Sequence, residues 1–140
     1  MTNKPISADL DLGDLDETTL AFAEAMATEL RYQAPALFAA LAKTLEHERD
    51  RRRRGDTPPV LFVMSGDSLA DTYEAARAAL AHATLCNAHA IAAVQLEPQF
   101  VVGWRALSKL FLALHSAIVD TRVGDLLAYR AFTLSPPTAA

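Results

Sequence analysis

The stretch 69-LADTYEAARAALAHATLCNAHAIAAVQLE-97 decides the fold. It runs about 29 residues without glycine or proline, and Leu69, Tyr73, Ala76, Leu80, Ala83, Asn87, Ala90 and Val94 recur at steps of three and four. That rhythm is helical. A single helix of this length would reach on the order of 43 Å, long for a compact domain of this size. A turn near Ala81 to Thr84, with Thr84 capping a second helix, is the other reading, and periodicity leaves the two open.

Upstream, Ser65, Gly66, Asp67 and Ser68 supply turn and cap residues, with Asp71 three places after Ser68. Val60 to Met64 is a run of five apolar residues that fits a short strand, a helical turn or a buried crossing segment. Before it, Leu37, Phe38, Leu41 and Leu45 mark a helix opened by Pro35 and closed by Gly55, whose polar end from Glu46 to Arg54 should project into solvent. Leu20, Ala23, Met26, Ala27 and Leu30 mark an earlier helix, with Asp14 as cap and Glu17 in its first turn. Residues 1–13 suit a flexible leader. Downstream, Pro98 breaks the chain. Phe100, Trp104, Leu107, Phe111, Leu114 and Ile118 form the stripe of another helix, and Asp120 and Thr121 could cap a last one stopped by Pro136 and Pro137.

The 140 residues are a one-domain length, and 51% are hydrophobic against 21% charged. A net charge of -4 gives no general attraction to nucleic acid or to an anionic membrane. Phe100 to Val119 is apolar enough to consider as a membrane span, but Arg105, Lys109 and His115 interrupt it, so it reads as a core helix. One cysteine, Cys86, and a start without a charged-then-apolar leader point to the cytoplasm.

Residues AIAAVQLEP followed by QFVVGWRALSKLF, around Pro98, resemble the junction between two tetratricopeptide repeats, which are stacked helix pairs. Ala93 precedes Pro98 as in the family's second helix; Trp104, Leu107, Ser108 and Phe111 fall where the next repeat places its Trp, Leu, small and aromatic residues. A second ending, AYRAFTLSPP, places Ala128, Ala131 and Pro136 similarly, with Gly124 at the small crossing position. The resemblance spans 66–137 and implies a groove for a protein segment. Independently of the family, small residues at Ala90, Ala93, Gly124 and Ala128 should let helices approach closely.

On the helix opened by Trp104, Arg105 and Lys109 are four apart. The resemblance places them, with Val102 and Leu112, on the partner-binding face, where two cations could grip a carboxylate; the plainer reading is a solvated flank. His82, Cys86 and His89 lie at i, i+4 and i+7 and form the one metal-like constellation, without an evident fourth ligand. Arg51 to Arg54 form a basic run, best read as paired along the helix, Glu48 with Arg52 and Asp50 with Arg54. No phosphate loop, nucleophile elbow, Cys-x-x-Cys or His-Glu-x-x-His motif is present.

The expectation is therefore an all-α fold of five to six antiparallel helices in a single domain over 14–137, with tetratricopeptide-like pairs in the second half and a tail at 138–140. The alternative is a compact bundle with one long central helix. The expected function is a non-catalytic adaptor or chaperone without cofactor, holding a protein or peptide partner. A self-associating homodimer and a small-ligand or metal carrier are the rivals.

Overall fold

A computed structural model describes residues 5–134 of the chain, with side chains through residue 131 at its C-terminal end. Strand β1 (Ile6–Leu10) leads into α1 (Glu17–Glu29) and α2 (Pro35–Arg54); β2 (Val60–Met64) is followed by α3 (Leu69–Leu96), a single 3-10 turn at Pro98–Phe100, and α4 (Val101–Leu134). The protein is mostly helical, with four α-helices among the described residues where five or six were expected.

One continuity and one kink account for the lower count. Leu69–Leu96 is one helix, opened by Ser68, whose side chain accepts from Asp71 N. Thr84 caps nothing; its hydroxyl donates to Leu80 O inside the helix. At the other site, Arg122 leaves helical geometry (φ -128°, ψ 23°), so α4 is two helical segments joined across a kink close to where the last helix was expected to begin; Thr121 Oγ1 donates back to Ala117 O. A hydroxyl bonded four residues back satisfies a carbonyl within the helix and favours a bend over a new start. The expected stops at Pro136 and Pro137, the tail, and residues 1–4 of the leader lie outside the described residues.

The leader is the clearest correction. Ile6–Leu10 pairs antiparallel with β2, Ile6 opposite Met64 and Leu10 opposite Val60. The alternation of β2 puts Val60, Phe62 and Met64 in the core and Leu61 and Val63 outside, so a strand, among the three readings of that run, is what forms. Ile6 and Leu10 alternate inward in the same register, and Leu12 and Leu15 bury beside them. The polar residues between these four gave the segment its loop-like composition.

The polar end of α2 is solvated on one side only: Glu46, His47, Arg53 and Arg54 are exposed, while the other side packs. Glu48 is fully buried, and Arg51 and Arg52 both bond its carboxylate, Arg52 at 2.6 Å. Arg52 reaches on to the carbonyls of Leu12 and Leu15, while Arg49 holds Glu24 through two bonds of 2.6 Å. Of the two pairs expected in the basic run, Glu48–Arg52 forms; Asp50 is taken by Arg53. These cations seat the N-terminal segment and α1 on α2.

Helices α3 and α4 form a long antiparallel hairpin. Ala75, Ala76, Ala79, Ala83, Ala90 and Ala93 line its seam, and their small size brings the backbones close. Ser108 Oγ donates to Ala83 O and His115 Nδ1 to Ala76 O, so two α4 side chains are tied to α3 carbonyls. Gly124, expected at a close crossing, has nothing within 4 Å of a built Cβ; the close crossing is at Gly103, where such a carbon would sit 2.8 Å from Thr19 Oγ1. The α1–α4 approach therefore depends on the absence of a side chain at 103.

Candidate functional site

Helix α1 starts at Asp16, two residues later than expected, because Asp16 accepts from Thr19 N at 2.7 Å; that bond holds its carboxyl below the ordinary value. The cap aims Thr18, Thr19 and Phe22 at the first turns of α4. Gly103 admits Thr19 there, and Phe22 meets Trp104 edge to face with centroids 5.4 Å apart. The 3-10 turn carries Phe100 to the same place, and Leu107 closes the floor. A cleft of about 270 Å³ results, lined by Thr18, Thr19, Phe22, Glu97, Phe100, Gly103, Trp104 and Leu107. It is walled mainly by carbon. Glu97 sits at the end of α3, and the threonine hydroxyls are the other polar groups.

Of the residues expected to bind a partner, none lines this cleft. Arg105, Val102 and Leu112 lie on the outward side of α4, and Lys109, also outward, is 3.6 Å from Asp14. Their neighbours one position away, Gly103 and Trp104, wall it. Trp104 was legible as a large packing residue. Phe100 stood on the same stripe, but Phe22 was missed because it comes from α1, whose approach to α4 the sequence does not encode. A glycine inside an apolar helix was the available signal.

The histidine–cysteine trio separates. His82 is buried between the rings of Phe38 and Phe111, with Nε2 donating to Gln33 Oε1 at 3.0 Å. Its Nδ1 is buried without a partner, and burial depresses its pKa. His89 instead stacks on Trp104 at 4.5 Å, outside the core. Cys86 is buried and pushed up to about 11. Among the described residues no group of three or more His, Cys, Asp or Glu could hold a metal ion.

Two solution tests follow from this burial. Native protein should react with a thiol reagent at neutral pH far more slowly than urea-unfolded protein, because Cys86 is both enclosed and protonated. Ready labelling of the native state would show that the α3 seam opens. For His82, the folded pKa lies below the unfolded value near 6.5, so the unfolded state takes up the proton first. Stability should be fully present above that value and fall as pH drops below it, and His82→Leu should lose this part of the pH dependence in urea titrations.

Searches of family models, of curated proteins and of solved structures each returned no match for the chain.

Proposed function

We propose that the protein is a non-catalytic helical binding module that receives an apolar side chain of a protein segment in the cleft between α1 and α4. The observation that carries this reading is the cleft itself, an apolar recess with two exposed aromatic walls, Phe22 and Phe100 each about 45% accessible, beside Trp104. Rings at the mouth of a small recess supply contact area at low entropic cost, the usual chemistry of an anchor pocket. The tetratricopeptide likeness enters at the same place, since Pro98, Trp104 and Leu107 carry it and two of those three wall the recess. In this reading the module works in the cytoplasm as an adaptor or chaperone.

Trp104 is the only tryptophan, so its emission reports directly on occupancy. Peptides selected from a random library on the full chain should carry a Leu, Phe or Trp anchor and shift that emission on binding. Phe22→Ala should weaken them about tenfold to a hundredfold, the range of an ordinary hot-spot residue. Phe100→Ala, which removes the other exposed ring at the mouth, should do the same. Binders indifferent to both substitutions would place recognition elsewhere and remove the proposal.

A further inference from the structure

The α3–α4 hairpin packs on α1, α2 and the sheet with one side only. On the other side Leu80, Ile91 and Val94 of α3 and Val102, Leu112, Val123 and Leu127 of α4 are exposed, each by at least 45%. Leu80, Ile91 and Val94 fall on one stripe by helical spacing, together with Thr84 and Asn87 between them. Three of the eight positions whose rhythm marked the long helix in the sequence, Leu80, Asn87 and Val94, thus point out of the fold. On α4, residues 102, 105, 109, 112, 116, 120 and 123 recur every three or four places on the outward side. Leu80, Val123 and Leu127 line one groove between the helices, so the two stripes belong to one face.

We propose that this face seats a second copy of the chain, antiparallel, on a twofold axis crossing α4 between Leu112 and Ala113. The outward stripe of α4 is self-complementary about that point. Residues equidistant from it, before the kink at Arg122, would face each other across the axis: Lys109 meets Ser116, and Arg105 meets Asp120. Arg105 and Asp120 are both exposed, and among the described residues neither has an ion-pair partner within the chain, whereas Lys109 has Asp14. An isologous contact makes each such pair twice. Ser108 lies level with Ala83 and His115 with Ala76, so the axis falls level with about residue 79 of α3, and the overlapping helix lengths, two diameters wide, cover roughly 600 Å² on each copy, the lower end of what a partner gives to a stable interface. Gly103 and Leu107 lie on the far side of α4 from Arg105 and Leu112, so each copy keeps its cleft open. This pairing does not depend on what the cleft holds.

Sedimentation equilibrium on the full chain should give about twice the 15.1 kDa chain mass. Leu112→Asp, which sets two carboxylates beside the axis, should give a monomer with unchanged helical circular dichroism. Arg105→Asp alone and Asp120→Arg alone should each weaken the dimer at least about tenfold, because each sets like charges opposite at two symmetric places. The double variant Arg105→Asp with Asp120→Arg restores both pairs and should recover the dimer, a result that misfolding of the single variants cannot imitate. A wild-type monomer overturns the proposal. If that monomer also floats with phosphatidylglycerol vesicles, the face belongs to a lipid surface instead. A dimer that ignores the single reversals, or a double variant no better than either, overturns the register.

Discussion

Glu48→Ala should cost about 3 kcal/mol of folding stability, or roughly a 10 °C drop in melting temperature for a chain of this length. Removing one partner of a buried ion pair commonly costs about 3–5 kcal/mol, because the remaining charge stays desolvated. Here the remaining charges are Arg51 and Arg52, with side chains 17% and 22% exposed, so they can turn partly toward water and the lower end applies. The loss should also reach beyond α2. Arg52 is oriented by Glu48 and holds the Leu12 and Leu15 carbonyls, so β1 and the start of α1 should exchange amide hydrogens faster in the variant. Urea unfolding with hydrogen exchange tests both. A variant within 0.5 kcal/mol of wild type (about the scatter of neutral surface changes) would show that the network follows the fold without supporting it.

The same carboxylate sets an acid limb. The Arg51 hydrogen bond, ahead of opposing burial and the Arg52 bond, holds Glu48 below its ordinary value of 4.5. A depressed folded pKa gives stability that is complete above 4.5 and is lost as pH falls through the folded value. The His82 decline begins below 6.5 and the Glu48 decline only below 4.5, so Glu48→Ala should leave the onset near 6.5 unchanged and flatten the titration below 4.5.

Phe38→Ala is the second large effect, about 4 kcal/mol. Phe38 is fully buried and meets both His82 of α3 at 5.7 Å and Phe111 of α4 at 6.4 Å, ring edge to ring face. It is the α2 side chain joining the N-terminal layer to the hairpin. Truncation removes the transfer energy of the ring and leaves a cavity among aromatic neighbours that cannot collapse without rotating His82. Its partner histidine already has one unpaired buried nitrogen, so water entering that cavity would find an acceptor and His82 would titrate closer to its ordinary range. Thermal unfolding gives the energy, and the histidine ring shifts in NMR give the titration. Phe38 and Glu48 are ten residues apart on one helix, on the order of 15 Å, so their costs should add.

Local chemistry was readable wherever it was self-sufficient. Ser68 capping α3, Pro35 opening α2 and Gly55 closing it at φ 72° all follow from groups within four residues of each other. The absence of a breaker between Leu69 and Glu97 allowed one helix, and packing against α4 along its whole length makes that helix stable at a size that looked excessive for a small domain. The segment before Asp14 failed the same reading, since an isolated strand of five residues gives no signal apart from its partner, and β2 lies more than fifty residues away. Glu48 failed it too. A polar helix end reads as solvated unless the carbonyls of Leu12 and Leu15 are known to be waiting there.

The helix Leu69–Leu96 shows where the division lies. Sequence by itself determined that it is helical, because spacing of side chains at three and four is a property of the backbone alone. Which side of it is inside was a tertiary decision: Ala76, Ala83 and Ala90 of the sequence stripe are buried, while Leu80, Asn87 and Val94 face outward. The physical reason is that close approach to α4 selects the small residues for the seam, and an alanine seam outweighs the larger leucine and valine that cannot fit between two backbones held by Ser108 and His115. The aromatic cleft has the same origin, formed where α1 meets the corner between α3 and α4.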